Sequence, residues 1–348
     1  MLKKYILILF CTLSLGFVTY GQDPQFSQFY AAPLYLNPAF TGSAMSTRLN
    51  LNYRNQWAAI GANYVTSSLS ADTYIDQINS GVGVLFTNDK QFSDLTTTSI
   101  SGLYAYHLKL SESLSANLGM QASYVNRSIS LDGKIFGDQL NNFLATDKFS
   151  KTNDPLGQSL NPSFSYVNFS GGGIVYSDKF WFGVSAHNIN QPNQAFSKAV
   201  DAKLPMRLGV QGGYRIALAD YSLGNGVRGN AEREKSLTPA FMYKRQGPYE
   251  QLDLGMYLTY SPMVLGAWYR GIPLKTYQKI PLQDAAIFLL GYKMDNFSMG
   301  YSYDLTVSTL GASSGGSHEV SLSYTFDNYL EKKPNRRRRK KEMSCPKF

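Results

Sequence analysis

The sequence predicts an all-β chain, a transmembrane antiparallel up-and-down β-barrel of fourteen strands. Three observations predict it. Side chains alternate with a period of two from Arg48 onward, and helical period is hard to find anywhere. Many alternating runs reach about ten residues, the length a tilted strand needs to cross the hydrocarbon layer. Composition adds 25 Tyr, 20 Phe and 30 Gly to only 16% charged residues, while the 43% apolar residues show no second long run after the first twenty positions.

Residues 1–21 read as a signal peptide: Lys3 and Lys4 precede an apolar run from Tyr5 to Val18, too short for a transmembrane helix, with cleavage expected after Gly21. Cys11 follows Phe10 where a lipoprotein signal would want a small residue, so no lipid anchor is expected. Cys345 is then the sole thiol of the mature chain, which excludes an intramolecular disulfide and a cysteine zinc site. Residues 22–47 follow as an N-terminal periplasmic or lumenal segment without strand or helix period. Asp23-Pro24 and Asn37-Pro38 are turn formers within it, and Phe26, Phe29, Tyr30, Tyr35 and Phe40 supply contact area. Such a segment either enters the lumen and wedges against the wall or lies along the periplasmic rim as a docking strip.

The barrel occupies 48–326. In SHEVSLSYTF, residues 317–326, Val320, Leu322, Tyr324 and Phe326 oppose Glu319, Ser321, Ser323 and Thr325. Residues 114–124, 252–261 and 297–306 split the same way, Leu254 and Met256 against Asp253 and Gly255, for example. A soluble β-sandwich also alternates. Strand length, aromatic residues near strand ends and a Gly, Ser, Asn and Gln face unsuited to a dry core favour a lipid-facing barrel with a wet lumen, closed because lipid tolerates no free edge. The expected strands are 48–57, 64–75, 80–87, 95–109, 114–128, 163–176, 179–189, 204–218, 236–244, 251–261, 263–271, 285–294, 297–306 and 317–326. Alternate connections are short (111–113, 177–178, 261–262, 295–296) and those between them long (129–162, 190–203, 272–284, 307–316), as periplasmic turns and outer loops are. Residues 219–235 break the rule: either the inner loop is unusual or the count slips by one. An even count puts both termini in the periplasm of an outer-membrane protein.

The net charge of +9 is not spread evenly. Of 33 basic and 24 acidic residues, the leader holds two lysines and residues 331–348 hold nine basic and two acidic, leaving a neutral body with 22 of each. Residues 327–348 form a basic tail whose run Arg336, Arg337, Arg338, Arg339, Lys340 and Lys341 reads as a solvated stretch or as an electrostatic contact to an acidic periplasmic partner or to phosphates, worth about 1 kcal/mol per residue. No aromatic residue interleaves the run and the chain is exported, so nucleic acid is not an expected partner.

QDPQFSQFYAAPLYLNPAFTGS, residues 22–43, resembles the N-terminal signature of the PorP/SprF family, outer-membrane barrels of the Bacteroidetes type IX secretion system, which carry a similar Q-D-P-x-F-[ST]-Q-[FY] followed by N-P-A-[FY]-x-G. LPMRLGVQGGYR (204–215), LDLGMYLTY (252–260), GYSYDLTVSTL (300–310) and SGGSHEVSLSYTF (314–326) look like the family's closing strands. The resemblance implies a component of the secretion and gliding-motility machinery that binds periplasmic machinery and helps deliver cargo or a surface adhesin. It marks Asp23, Pro24, Gln25, Phe26, Ser27, Gln28, Asn37, Pro38 and Gly42 as partner-binding residues, joined here by the basic tail, where family members usually end near the last strand. A diffusion porin or small-solute channel is the alternative.

Little in the chain suggests chemistry, and neither a cofactor, a metal nor a catalytic residue is expected. His107 and His187 fall on the polar face and His318 opens the last strand, while neighbours Ser317, His318 and Glu319 point to alternate faces and cannot form a triad. Gly171-Gly172-Gly173 and Gly212-Gly213 precede no helix and read as close packing or bending rather than phosphate loops. Arg54, Arg207, Arg215 and Arg270 against Asp253, Asp304 and Glu319 give the lumen no dominant sign.

Overall fold

The computed structural model describes residues 23–61, 63–92, 94–131, 161–197, 201–218, 235–277, 280–294, 296–307 and 311–326. The signal-peptide reading, most of the outer loop 129–162 and the basic tail lie outside them. The strands are β1 (Arg48–Gln56), β2 (Tyr64–Ile75), β3 (Ser80–Gln91), β4 (Leu95–Lys109) and β5 (Ser115–Ile129). Then come β6 (Ser163–Tyr176), β7 (Phe180–His187), β8 (Arg207–Tyr214), β9 (Ile216–Ala217) and β10 (Lys235–Gln246). The last are β11 (Tyr249–Tyr260), β12 (Met263–Tyr277), β13 (Ile280–Lys293), β14 (Phe297–Thr306) and β15 (Ser317–Thr325).

Every neighbour pair is antiparallel, and β1 pairs with β15 from Arg48↔Thr325 to Gln56↔Ser317, which closes the sheet. The barrel has fourteen staves. The fifteenth strand arises because the expected strand 204–218 breaks at Arg215, and both pieces, β8 and β9, pair with β10. The connection through 219–234 therefore leaves and re-enters at the end of the barrel that holds Arg48 and Thr325, here called the terminal end, and the strand count does not slip.

Two connections differ from expectation. Residues 272–284 are not a long loop: β12 runs to Tyr277 and β13 restarts at Ile280, with register shifts on either side of Gly271. At the far end, β10 and β11 are joined through Gly247 and Pro248 alone. Elsewhere the terminal-end turns are tight, as read from sequence.

Burial is inverted relative to a soluble protein. On β15 the sequence Ser-His-Glu-Val-Ser-Leu-Ser-Tyr buries Ser317, Glu319, Ser321 and Ser323 while Val320 and Tyr324 are exposed. Leu51, Leu69, Phe86, Ile100, Leu118, Met256, Leu265 and Leu290 are exposed in the same way around the wall. Such an apolar exterior is stable only in lipid. Tyr106, Phe180, Tyr214, Tyr260, Tyr292, Phe297, Tyr324 and Phe326 form an exposed aromatic girdle at the terminal end. Among the described residues no helix is long and apolar enough to cross a membrane. Where β7 stops short of β6, Ile189 N–H donates to Phe169 O (3.0 Å) and the Asn190 side chain pairs with Phe169 N–H (3.1 Å) and Val167 O (2.8 Å), an amide standing in for the missing strand.

Candidate functional site

Residues 23–43 lie inside the barrel and fill the terminal part of the lumen, while Asp23 reaches Gln246 (3.0 Å) toward the far end. Phe26, Ser27, Gln28, Asn37 and Phe40 are at most 3% exposed. The segment contains one turn of helix, α1 (Pro33–Leu36), and a 3-10 turn, Pro38–Phe40. Each opens on a proline, which needs no N–H partner at a helix start. Asn37 ends the first turn and caps the second: its side-chain oxygen accepts from Ala39 N–H (2.9 Å). The same side chain's Nδ2 donates to Val184 O (2.9 Å) and Gly173 O (3.3 Å), so one residue shapes the segment and ties it to β6 and β7.

At its first turn the segment meets a buried charge cluster. Glu319 accepts from the backbone N–H groups of Ser27 (2.6 Å) and Gln28 (2.9 Å). Ser27 Oγ donates to Asp304 (2.6 Å) and accepts from Arg54 Nη1 (2.6 Å) and Arg270 Nη2 (2.8 Å). Arg54 bridges Asp304 (2.9 Å) and Glu319 (3.2 Å), and Arg270 bridges Asp304 (2.9 Å) and Asp253 (3.2 Å). Two guanidiniums thus face three carboxylates with a single serine hydroxyl between them. Removing either arginine takes a buried cation away from two carboxylates it bridges. Gln28 completes the contact, donating to Glu319 O (2.9 Å) and Ser302 Oγ (3.2 Å) and accepting from Ser321 Oγ (2.6 Å).

Aromatic rings and glycine notches fit the remainder. Phe29 packs edge-on against Trp268 with centroids 4.8 Å apart, and Trp181 Nε1 donates to Tyr30 OH (3.2 Å). Asn117, His107 and His187 donate to the carbonyls of Ala39 (3.1 Å), Thr41 (2.8 Å) and Leu36 (3.3 Å). The lumen glycines are where the segment touches the wall. A Cβ on Gly119 would stand 2.3 Å from Pro38 C and Ala39 N, one on Gly81 2.2 Å from Thr41 O, and one on Gly172 2.1 Å from Asn37 Oδ1. At the exit Gly42 (φ +73°) turns the chain toward β1, its N–H donating to Asp72 (2.8 Å), which also holds Arg48 through two bonds of 2.9 and 3.0 Å.

Beyond the segment lies a polar cavity of about 480 Å³ in the far part of the lumen. Asp23, Pro24, Gln25 and Tyr35 form its floor. Asp23 accepts from Asn188 Nδ2 (2.9 Å) and lies 3.5 Å from Arg207, while Lys244 donates to Gln25 (2.9 Å). Burial pushes the Tyr35 phenol up to about 12 against the pull of Arg207, so it keeps its proton and donates to Pro24 O (2.5 Å). The expected wet lumen is thus confined to the far part.

Of the residues singled out from sequence, Ser27, Gln28, Asn37 and Gly42 make the segment's polar contacts with the wall or hold its turns; Arg54, Arg270, Asp304 and Glu319 converge on Ser27, and Asp253 joins them through Arg270. Phe26 and Pro38 are buried beside them. Arg215 sits at the break between β8 and β9, away from that cluster, and His318 pairs with Tyr301 OH (2.8 Å) on the exterior. Sequence reasoning missed Asp72, Asp89, Arg127 and Lys244. All lie on the polar parity of strands, a signal that identifies the lumen but not which lumen charges are special.

The model of the type IX secretion system membrane protein PorP/SprF matches residues 18–324. No curated protein matches the chain. Among solved structures, the toluene transporter TbuX of Ralstonia pickettii is 9% identical with a TM-score of 0.45, covering 85% of this chain and 94% of its own. The TodX deltaS2S3 mutant monoaromatic hydrocarbon channel is 12% identical (TM-score 0.46, 85% and 94% covered). The outer membrane protein Omp33 of Acinetobacter baumannii is 8% identical (TM-score 0.38, 81% and 98% covered). A closed barrel with an apolar exterior, matched over nearly its whole length by that family's model, makes this chain a PorP/SprF-family type IX secretion system membrane protein of the outer membrane.

Proposed function

We propose that the protein is a non-conducting outer-membrane component of the secretion machinery, which binds periplasmic subunits of that machinery and helps bring a cargo protein or surface adhesin to the cell surface. The observation that carries the reading is the occupied lumen: residues 23–43 fill the terminal part of the barrel and are bonded to its wall on every side, which suits a docking platform better than a diffusion path. Both termini face the periplasm in this reading. The basic run Arg336–Lys341 and the terminal rim then supply the contact surface, and Asp23 to Gly42 act in partner binding by fixing the shape of that face from inside.

Two measurements test it. The full chain in a planar bilayer should pass no steady current, and deleting 23–43 should open one. Steady conductance of the intact chain would favour a small-solute channel instead. Secretion-machinery subunits should co-purify with the barrel from outer membranes and be lost when 331–348 are removed; unchanged co-purification would discard the tail as a contact.

A further inference from the structure

The far cavity holds two charges of opposite sign, neither with an ion-pair partner at salt-bridge distance among the described residues. Asp89 on β3 is 3% exposed and accepts from Thr66 Oγ1 (2.6 Å) and Gln91 Nε2 (2.8 Å), and among the described residues no cation stands within salt-bridge distance of it, Arg127 acting on it only through space. Arg127 on β5 donates to Gln194 and lies over the Phe196 ring (5.5 Å), without a carboxylate among the described residues. Among the described residues its Nε has no hydrogen-bond partner, nor have the side-chain oxygens of Gln121 and Asn168 on the same cavity wall. The other charged pair at the cavity, Asp23 and Arg207, is already matched.

Register places the two charges together. Thr97 on β4 stands opposite Asp89 on one side and Arg127 on the other, so the three form one cross-strand row facing the lumen. Adjacent strands are about 4.8 Å apart, which puts the backbones of Asp89 and Arg127 about 10 Å from each other. A carboxylate uses only part of its acceptor capacity on two donors, and a guanidinium has five N–H groups. A buried charge is tolerated when it is paired. A simple anion would leave Asp89 uncompensated and a simple cation would leave Arg127 so. A ligand with one group of each sign satisfies both.

We infer that the far cavity is a binding site for a zwitterion, specifically a short peptide whose ammonium meets Asp89 and whose carboxylate meets Arg127. The volume suits a ligand of that size, and Gln121 and Asn168 offer acceptors to its amide N–H groups. The site is distinct from the terminal contact surface and does not depend on the secretion reading.

Isothermal titration of the full chain in detergent with triglycine, N-acetyl-triglycine, triglycine amide and phosphoethanolamine tests it. Triglycine should bind, and each blocked peptide should bind about tenfold more weakly or worse, the loss expected for one charged hydrogen-bonded group. Asp89→Asn should abolish the penalty for N-acetylation alone, and Arg127→Gln the penalty for amidation alone. These patterns separate a site effect from a folding defect, since each variant must still discriminate at the other end. Absence of triglycine binding, equal binding of the three peptides, penalties unchanged by the substitutions, or tighter binding of phosphoethanolamine would each overturn the proposal.

Discussion

The two parts of the lumen are built from the same wall and differ in what fills them. In the terminal part Arg54, Arg270, Asp253, Asp304 and Glu319 are locked to one another and to Ser27, and glycines make room for backbone at van der Waals range. In the far part Asp89 and Arg127 have no such partner among the described residues and the wall encloses a cavity. One row of opposed residues even runs between them, from Glu319 through Arg54, Thr66, Asp89 and Thr97 to Arg127. The difference teaches that strand alternation specifies only an inward polar face. Rigidity comes from the segment that meets it.

Substitutions in the two parts should therefore differ sharply in cost. Arg54→Ala strands Glu319 and leaves Asp304 to Arg270 alone, and should lower unfolding stability by about 3–5 kcal/mol, read by urea titration in lipid vesicles. Gly119→Ala forces a methyl into the Pro38–Ala39 backbone and should cost about 1–3 kcal/mol and admit ion current, whereas Gly102→Ala, where a Cβ meets nothing within 4 Å, should do neither. Asn37→Ala removes a cap and two wall bonds; about 1–2 kcal/mol should be lost in the same titration, with protease access to residues 30–40 increased. In the far part Thr97→Val should change stability by less than about 0.5 kcal/mol. Equal costs for Arg54→Ala and Thr97→Val would erase the contrast, and a Gly119→Ala barrel as stable and as silent as wild type would show that the close fit at the notch is not what holds the segment.

Most of the wall was legible in the sequence because a strand needs only its own alternation to be recognised. Residues 272–284 were misread as a loop: Pro273 and Pro281 look like loop punctuation, yet the backbone continues as β12 and β13 around register shifts that only cross-strand pairing reveals. Residues 22–43 gave composition without period, because their conformation is set by wall contacts such as Asn37 to Val184 and not by a repeat of their own. The lumen glycines could be read as points of close approach, while the approaching partner lay 40 to 272 positions away, between Thr41 and Gly81 at one extreme and Gln28 and Gly300 at the other. Asp89 and Arg127 were indistinguishable from other inward charges until pairing showed which had been left over.

Ser27 bridges the first and the last strands of the sheet, reaching Arg54 on β1 and Glu319 on β15, and Glu319 lies 292 positions further along the chain. The stretch is also continuous with β1 through Gly42 and buried along most of its length. Closure of the sheet and seating of the segment are thus one structural event: the seam between the outermost strands is fastened through a hydroxyl and an amide that neither of them carries.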